Sequence, residues 1–350
     1  ARVDFTYTAA GRQQQIRRYS DLNATIKVGS TDYTYDLAGR TDTLIHKDAI
    51  DTLFSGYNYD YDFSGLLVAE QRDHQDHQYD QTITYGYDLT GQLLDAFFSG
   101  QDDEHYEYDA NGNRTLSRVG TEEQTYTTGT ANQLRSDGVY QYEYDGEGNL
   151  RLKTRISDGQ LTENTFDHQN RLVNVEERSA GGIVLTTAGF RYDGVGRRIT
   201  EIVDGVVSLR ALHDGDKTWG DYDFSGTAQA RYLFTDNTDQ VLAAYRHING
   251  SIWYYGDKLG TVRYLVRSGN AVGSPILYSS YGSILSGITG QEWNRFTHTG
   301  REFNPASSQF YFRSRFYDPM TARFLSRDGL GFEGLDANTY RYIFNSPLNG

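Results

Sequence analysis

The chain has 350 residues, a formal net charge of −14 and no cysteine. Disulfides and Cys-ligated metals are excluded, and the acidic balance argues against a nucleic-acid partner, because phosphate binding needs basic patches. No segment approaches the roughly 18 consecutive apolar residues of a membrane helix, and 37 Gly and 29 Tyr against 4 Pro describe many turns joining half-buried strands.

The chain enters directly into strand-like sequence, Arg2-Val3-Asp4-Phe5-Thr6-Tyr7, with no signal peptide ahead of it, and reads as a piece of something longer. Tyr7-Thr8-Ala9-Ala10-Gly11-Arg12 is a degenerate first copy of the unit that organises the rest, Tyr35-Asp36-Leu37-Ala38-Gly39-Arg40. The Tyr ends a strand as a β-favoured aromatic. The Asp opens a turn by accepting backbone N–H groups two residues on, and the Gly supplies the positive φ that closes a bulged hairpin. The Arg starts the outgoing strand.

The unit returns at Tyr61-Asp62 with Gly65, Tyr87-Asp88 with Gly91, Tyr108-Asp109 with Gly112, Tyr144-Asp145 with Gly148, Tyr192-Asp193 with Gly196 and Tyr222-Asp223 with Gly226. Phe166-Asp167 with Asn170 and Arg171 is a variant, and Asn is the next most tolerant residue of positive φ. Asp257-Lys258-Leu259-Gly260 is another. Gly39, Gly65 and Gly91 lie 26 residues apart, which suits two strands and two turns. Between the turns, runs such as Gln81-Thr82-Ile83-Thr84-Tyr85-Gly86-Tyr87 alternate as strands do. Long helical periodicity is nearly absent. The fold class is therefore all-β: consecutive hairpins forming one long sheet that must close or coil to hide its edges and cover one face. A propeller blade needs about 40–50 residues, which pairs of these units exceed slightly.

From Ile252 the pattern changes. The chain runs through Trp253-Tyr254-Tyr255-Gly256-Asp257, then Phe296-Thr297-His298-Thr299-Gly300-Arg301-Glu302, then Tyr311-Phe312-Arg313-Ser314-Arg315-Phe316-Tyr317-Asp318-Pro319, then Arg323-Phe324-Leu325-Ser326-Arg327-Asp328, and Asn338-Thr339-Tyr340-Arg341-Tyr342 with Asn345-Ser346-Pro347. This ordered run closely resembles the Rhs-associated core of the Rhs/YD-repeat family, which includes bacterial Rhs polymorphic toxins, the C component of Tc toxins and the teneurins. The upstream units resemble its YD repeats. The resemblance implies a spiralling sheet coiled into a hollow shell or barrel, with residues 1–250 as the hairpin array and 251–350 as a core region that turns inward as a plug.

It also implies partners and chemistry. In the toxins the shell encloses a C-terminal toxin or cargo domain, and in several members an aspartyl autoprotease in the core cuts that cargo free. In teneurins the shell is a cell-surface scaffold that binds a protein or glycan. Three readings follow: an encapsulating shell, an adhesion module, and a maturation protease. All place the protein outside the cytoplasm, secreted or on the surface of a bacterium. For the protease reading, Asp328 is the first catalytic acid, with Arg327 beside it to hold a carboxylate. Two acids are needed to share a proton, and the second would lie beyond Gly350, so this stretch alone is expected to be inactive. Asp328-Gly329 stands where the family usually has Asp-Pro. Arg313, Arg315 and Arg323 are expected to share one strand face and pair with the turn aspartates of neighbouring repeats.

No cofactor or metal is expected. Asp109 and Asp145 open EF-hand-like loops but lack the closing Glu, with Gly120 and Ile156 at position twelve. His74-Gln75-Asp76-His77 reads as a solvated hairpin loop rather than a zinc site.

Overall fold

The computed structural model describes residues 1–235, 239–248, 250–267, 270–271, 274–287 and 294–349. The alternating runs are strands. In Gln81–Tyr87 the side chains of Gln81, Ile83 and Tyr85 are buried while Thr82 and Thr84 face out, as the period of two requires. At the Tyr of most units the pairing register slips, between Thr34 and Tyr35, Asp60 and Tyr61, Gly86 and Tyr87, and Arg191 and Tyr192. That slip is the bulge a type I turn closed by a left-handed residue introduces.

The strands pair in strict chain order, all antiparallel, as an 11-stranded sheet from Arg2–Tyr7 to Glu122–Thr125 and a 15-stranded sheet from Thr127–Thr128 to Asn270–Ala271. A single residue, Tyr126, separates the two, and its N–H still bonds the Thr115 carbonyl. The wall is thus one continuous meander, and it runs past residue 250 through Gly250–Gly256 and Val262–Arg267.

The meander closes by packing its late strands on its early ones. Tyr255 meets Phe54 edge-on at 4.9 Å and His46 at 5.0 Å between ring centroids, and the Arg18 guanidinium lies 4.1 Å above the Tyr255 ring. Tyr264 stacks on His74 at 5.1 Å. Val28, Phe54, Trp253, Tyr255, Tyr264 and Val266 form the buried seam. Gly29 permits the close approach: a Cβ there would stand 2.5 Å from the Tyr255 hydroxyl and 2.4 Å from the Lys47 carbonyl oxygen.

The inner face of the wall is filled by the C-terminal quarter of the chain. Tyr281, Ala322 and Leu348 pack on Leu44, Tyr57, Leu67 and Leu93. Tyr311, Phe316 and Leu325 pack on Tyr142, Leu150, Leu172 and Phe190. Ile276, Tyr278 and Phe296 pack on Tyr232, Ile252 and Val262. This inward segment carries its own four-stranded sheet, from Glu302–Asn304 to Arg323–Phe324, and its own aromatic core of Phe310, Tyr317, Phe324 and Tyr342. It is the plug.

Two buried histidines make this closure acid-sensitive. His46 sits at the seam, its Nε2 3.1 Å from the Gly256 carbonyl oxygen and its Nδ1 2.9 Å from Thr31 Oγ1, which itself accepts from Arg18. His298 sits in the plug. Burial first, and then the Arg18 cation, holds the His46 imidazole well below its ordinary value of 6.5. Burial and then Arg263 holds His298 down at about 3. Below about pH 6.5 the unfolded chain binds these protons and the folded chain does not, so stability falls as pH falls, by about 1.4 kcal/mol per pH unit for each imidazole. Denaturation midpoints measured between pH 7 and 5 should show that slope, and His46→Phe should roughly halve it.

Candidate functional site

The repeated turns build one rim. In the first, the Asp36 N–H donates to the Arg40 carbonyl, the Gly39 N–H donates to the Asp36 carbonyl at 3.0 Å, and Asp36 Oδ1 accepts the Arg40 N–H at 2.9 Å. Burial pushes the Asp36 carboxyl up, and the hydrogen bonds from Arg40 outweigh it, leaving the group below its ordinary value. The same turn recurs at Asp62, Asp88, Asp109, Asp145, Asp167, Asp193, Asp223 and Asp257. Gly39, Gly65, Gly91, Gly112, Gly148, Gly196 and Gly226 all have positive φ, and Asn170 has φ of 59°.

Antiparallel alternation sends successive turns to opposite rims, so the parity of the strand count decides where each unit lies. Every copy from Asp36 to Asp193, and Asp257, falls on one rim. The Tyr222-Asp223-Gly226 copy falls on the other, because Lys217–Tyr222 runs antiparallel to Val206–Asp214 and adds one strand to the count. The turn is chemically the same but does not belong to the row.

The tyrosines fasten each hairpin to the one before it. Tyr35 Oη donates to the Gln13 carbonyl, Tyr61 to Thr41, Tyr87 to Leu67, Tyr108 to Leu93 and Tyr192 to Leu172. In each case the acceptor lies six residues after the aromatic of the preceding unit. Phe166 has no hydroxyl to offer the Leu150 carbonyl, and Asn164 Nδ2 takes that acceptor instead, at 2.9 Å. Tyr87→Phe should therefore cost about 1 kcal/mol, read from the shift of a urea unfolding midpoint at unchanged slope. No measurable shift would show that the hydroxyl carries nothing.

The residue after the Gly does two jobs. Arg40, Arg171 and Arg197 bond the aspartate of their own turn. Arg40 and Arg171 also lie over the Tyr of the next unit, at 4.4 Å and 4.6 Å from the ring centroids of Tyr61 and Tyr192. In three central turns an amide replaces the Arg: Gln92, Asn113 and Asn149 each donate to their own turn aspartate. Two of these amides also receive the plug. Asn345 Nδ2 donates to Gln92 Oε1 at 2.8 Å and to the Gly112 carbonyl at 2.7 Å, and Asn338 Nδ2 donates to Asn113 Oδ1 at 2.9 Å. Tyr340 Oη donates to the Gly148 carbonyl at 2.6 Å. Gly148, at φ of 89°, leaves room for this: a Cβ there would meet the Tyr340 hydroxyl at 2.7 Å and Arg327 Nε at 2.4 Å. The Leu150 N–H donates to the Leu325 carbonyl, so the plug adds a backbone bond as well. The Arg-to-amide switch at the position after the Gly was the signal, present in the sequence, that marked where the plug docks.

A second attachment is ionic and buried. Glu302 accepts from Arg198 of the wall, from Arg295 of the plug at 2.7 Å and from Thr218 Oγ1 of the wall at 3.1 Å. Arg295 also reaches Asp221 at 2.8 Å, and Asp221 accepts from Tyr232 Oη. Burial alone would raise the Glu302 carboxyl, but Arg295 and Arg198 hold it down at about 2. Burial pushes Asp221 up against the pull of Arg295.

Asp328 and Arg327 part company. Asp328 Oδ2 pairs with Arg315 at 2.8 Å and Oδ1 accepts the Leu330 N–H at 2.9 Å, with the Gly331 N–H closing the turn on the Asp328 carbonyl. Arg327 turns away to Tyr340 Oη, at 3.3 Å, so the guanidinium that holds the Asp328 carboxylate is Arg315. Asp328 opens on a cavity of 530 Å³ that also takes in Asp239, Asp336, Arg301, Arg315 and Arg341. Each acid there has a basic partner: Asp336 has Arg341 at 2.5 Å, and Asp239 has Arg301 at 2.9 Å and Arg313 at 2.6 Å. Of the three arginines expected on the turn aspartates, Arg313 and Arg315 thus bind Asp239 and Asp328. Arg323 binds Asn113 Oδ1 and the Asn132 carbonyl on the rim. Among the described residues no cluster of three or more His, Asp or Glu stands as a metal site, and no helix is long and apolar enough to cross a membrane.

The family model described as Teneurin YD-shell matches residues 3–348. The chain is 26% identical over 323 residues to the double-stranded DNA deaminase toxin A of Burkholderia cenocepacia, covering 82% of this chain and 21% of that protein. It is 23% identical over 358 residues to teneurin-4 of Mus musculus, covering 95% of this chain and 12% of that protein. In structure it matches TcdB2-TccC3-Cdc42 with a TM-score of 0.78 at 19% identity, covering 99% of this chain and 19% of that one. The chain therefore spans about a fifth or less of the length of these relatives. The chain belongs to the teneurin YD-shell family.

Proposed function

We propose that this chain is the plug-bearing, closing turn of a YD shell that encloses or presents a cargo domain joined to it on the C-terminal side. The observation that carries this reading is the double attachment of the plug. Asn338, Tyr340 and Asn345 tie it to the rim, and Glu302 with Arg295 ties it to the inner wall. A segment held at both places stops one end of the shell. In this reading the protein works outside the cytoplasm, secreted or at the surface of a bacterium, and its first partner is its own cargo. Limited proteolysis of the full-length protein tests it. The cargo should resist proteinase K while the shell is intact and become cleavable when the plug is unhooked by Arg295→Met. Cleavage of the wild-type cargo as fast as free cargo would sink the reading.

Within it, Asp328 is the candidate acid for release of the cargo, supported by its position on the 530 Å³ cavity among other carboxylates. Asp328→Asn in the full-length protein should abolish self-cleavage, and undiminished cleavage would remove Asp328 from that role. A second reading, a teneurin-like surface for a protein or glycan, draws on the three apolar side chains at successive turn tips of the rim. Leu37, Phe63 and Leu89 are wholly exposed. Replacing all three by Ser should lower partner capture in a glycan-array or pull-down measurement, and equal capture would count against it.

A further inference from the structure

Wall, seam and plug meet around a small cavity of 30 Å³. Glu70 and Arg72 reach it from the wall strand Leu67–His74, Asp257, Lys258 and Arg263 from the seam, and Ser280 and His298 from the plug. Most of these groups are satisfied. Glu70 accepts from both Arg72 nitrogens, at 2.8 and 3.0 Å, and from Tyr85 Oη at 3.0 Å. Asp257 accepts Arg263 Nε at 2.9 Å and the N–H groups of Leu259 and Thr261. Lys258 Nζ donates to the Leu348 carbonyl at 2.8 Å.

Three atoms are left over. Arg263 Nη1, Ser280 Oγ and His298 Nε2 are buried with no hydrogen-bond partner in the protein. Their residues are only 9%, 6% and 4% exposed. An orphaned buried donor is costly, and more so when it is charged, so interiors rarely leave three beside one cavity. All three can donate: the guanidinium always, the hydroxyl by rotation, and the imidazole in its neutral Nε2–H tautomer. The charge around the cavity is also uneven. Arg72, Lys258 and Arg263 face Glu70 and Asp257, an excess of one cation. Glu104, which accepts the Ser280 N–H, lies just beyond and has Arg114 against it.

We infer that the cavity binds a small monovalent anion of the halide type, which accepts hydrogen bonds from Arg263, Ser280 and His298. The volume has room for about two water-sized particles, which suits a halide and excludes phosphate-sized anions with their own shell. Because seam and plug each contribute donors, the anion binds only the closed form and acts as a clasp on it, stabilising it by mass action.

The test uses the chain as it stands. Thermal unfolding is followed in sodium chloride, sodium bromide and sodium gluconate at matched ionic strength, and crystals grown in bromide are examined for anomalous scattering. The expected result is a midpoint that rises with either halide and saturates, and a bromide peak beside Arg263 and His298. Ser280→Ala, a small change that keeps the fold, should weaken the half-saturating halide concentration by about fivefold. Equal midpoints in halide and gluconate, or a cavity that holds only water in bromide crystals, overturns the proposal.

Discussion

Glu302→Ala should destabilise the folded chain by about 3–5 kcal/mol, the cost of breaking a buried ion network. Glu302 accepts from Arg198 and Arg295 together, so its removal takes the shared carboxylate from two guanidinium groups on residues only 3–4% exposed and leaves Arg295 to Asp221. The loss should be local before it is global. Hydrogen exchange should rise first in Glu302–Asn304 and in the facing wall strand Lys217–Tyr222, with the seam still protected. The folded carboxyl stands at about 2 against an ordinary 4.5. Its contribution is therefore complete above about pH 4.5 and is lost as pH falls towards 2, so the variant should be less acid-sensitive than the wild type in that window. A Glu302→Ala midpoint within 0.5 kcal/mol of wild type, a value typical of about the smallest surface effects, would show that the plug is held by the rim alone.

Tyr255→Ala should open the seam. The ring is fully buried among Phe54, His46 and Arg18, and truncating a buried aromatic of this size costs about 3–5 kcal/mol. The predicted readout is selective. Exchange protection should fall in Thr41–Lys47, Leu53–Tyr61 and Gly250–Gly256, which meet across the seam, while Leu150–Arg155 and Leu172–Arg178 on the far wall keep theirs. A uniform loss along the whole meander would mean that the two ends of the sheet stand or fall with everything else. Tyr255→Phe should be close to neutral, since the hydroxyl has no hydrogen-bond partner in the protein.

Much of this was legible in the chain itself. The Tyr-Asp-x-x-Gly unit is local chemistry: the Asp36 carboxylate accepts the N–H four residues on, and Gly39 takes the positive φ. Such features need no tertiary context, so they are written within six residues. The alternation between turns likewise determines which side chains face inward, and the strict chain order of the wall follows from short connections. The expectation of a plug rested on resemblance.

Other features depended on distance along the chain. Asn345 meets Gln92 across 253 positions, and nothing in either neighbourhood specifies the other. The unit at Tyr222 is chemically identical to its predecessors, yet the strand count places it on the opposite rim. Arg327 is adjacent to Asp328 in sequence, yet Arg327 turns to Tyr340 and Arg315, thirteen residues back, takes the carboxylate instead. By itself, then, the sequence determined the repeated corner, the strand pattern and the acidic, cysteine-free chemistry of the chain. The tertiary structure alone decided which corners form the rim, how the seam closes and which buried charges hold the plug. The physical reason is that turns and alternation are short-range, whereas burial and ion pairing depend on which distant segments the closed meander brings together.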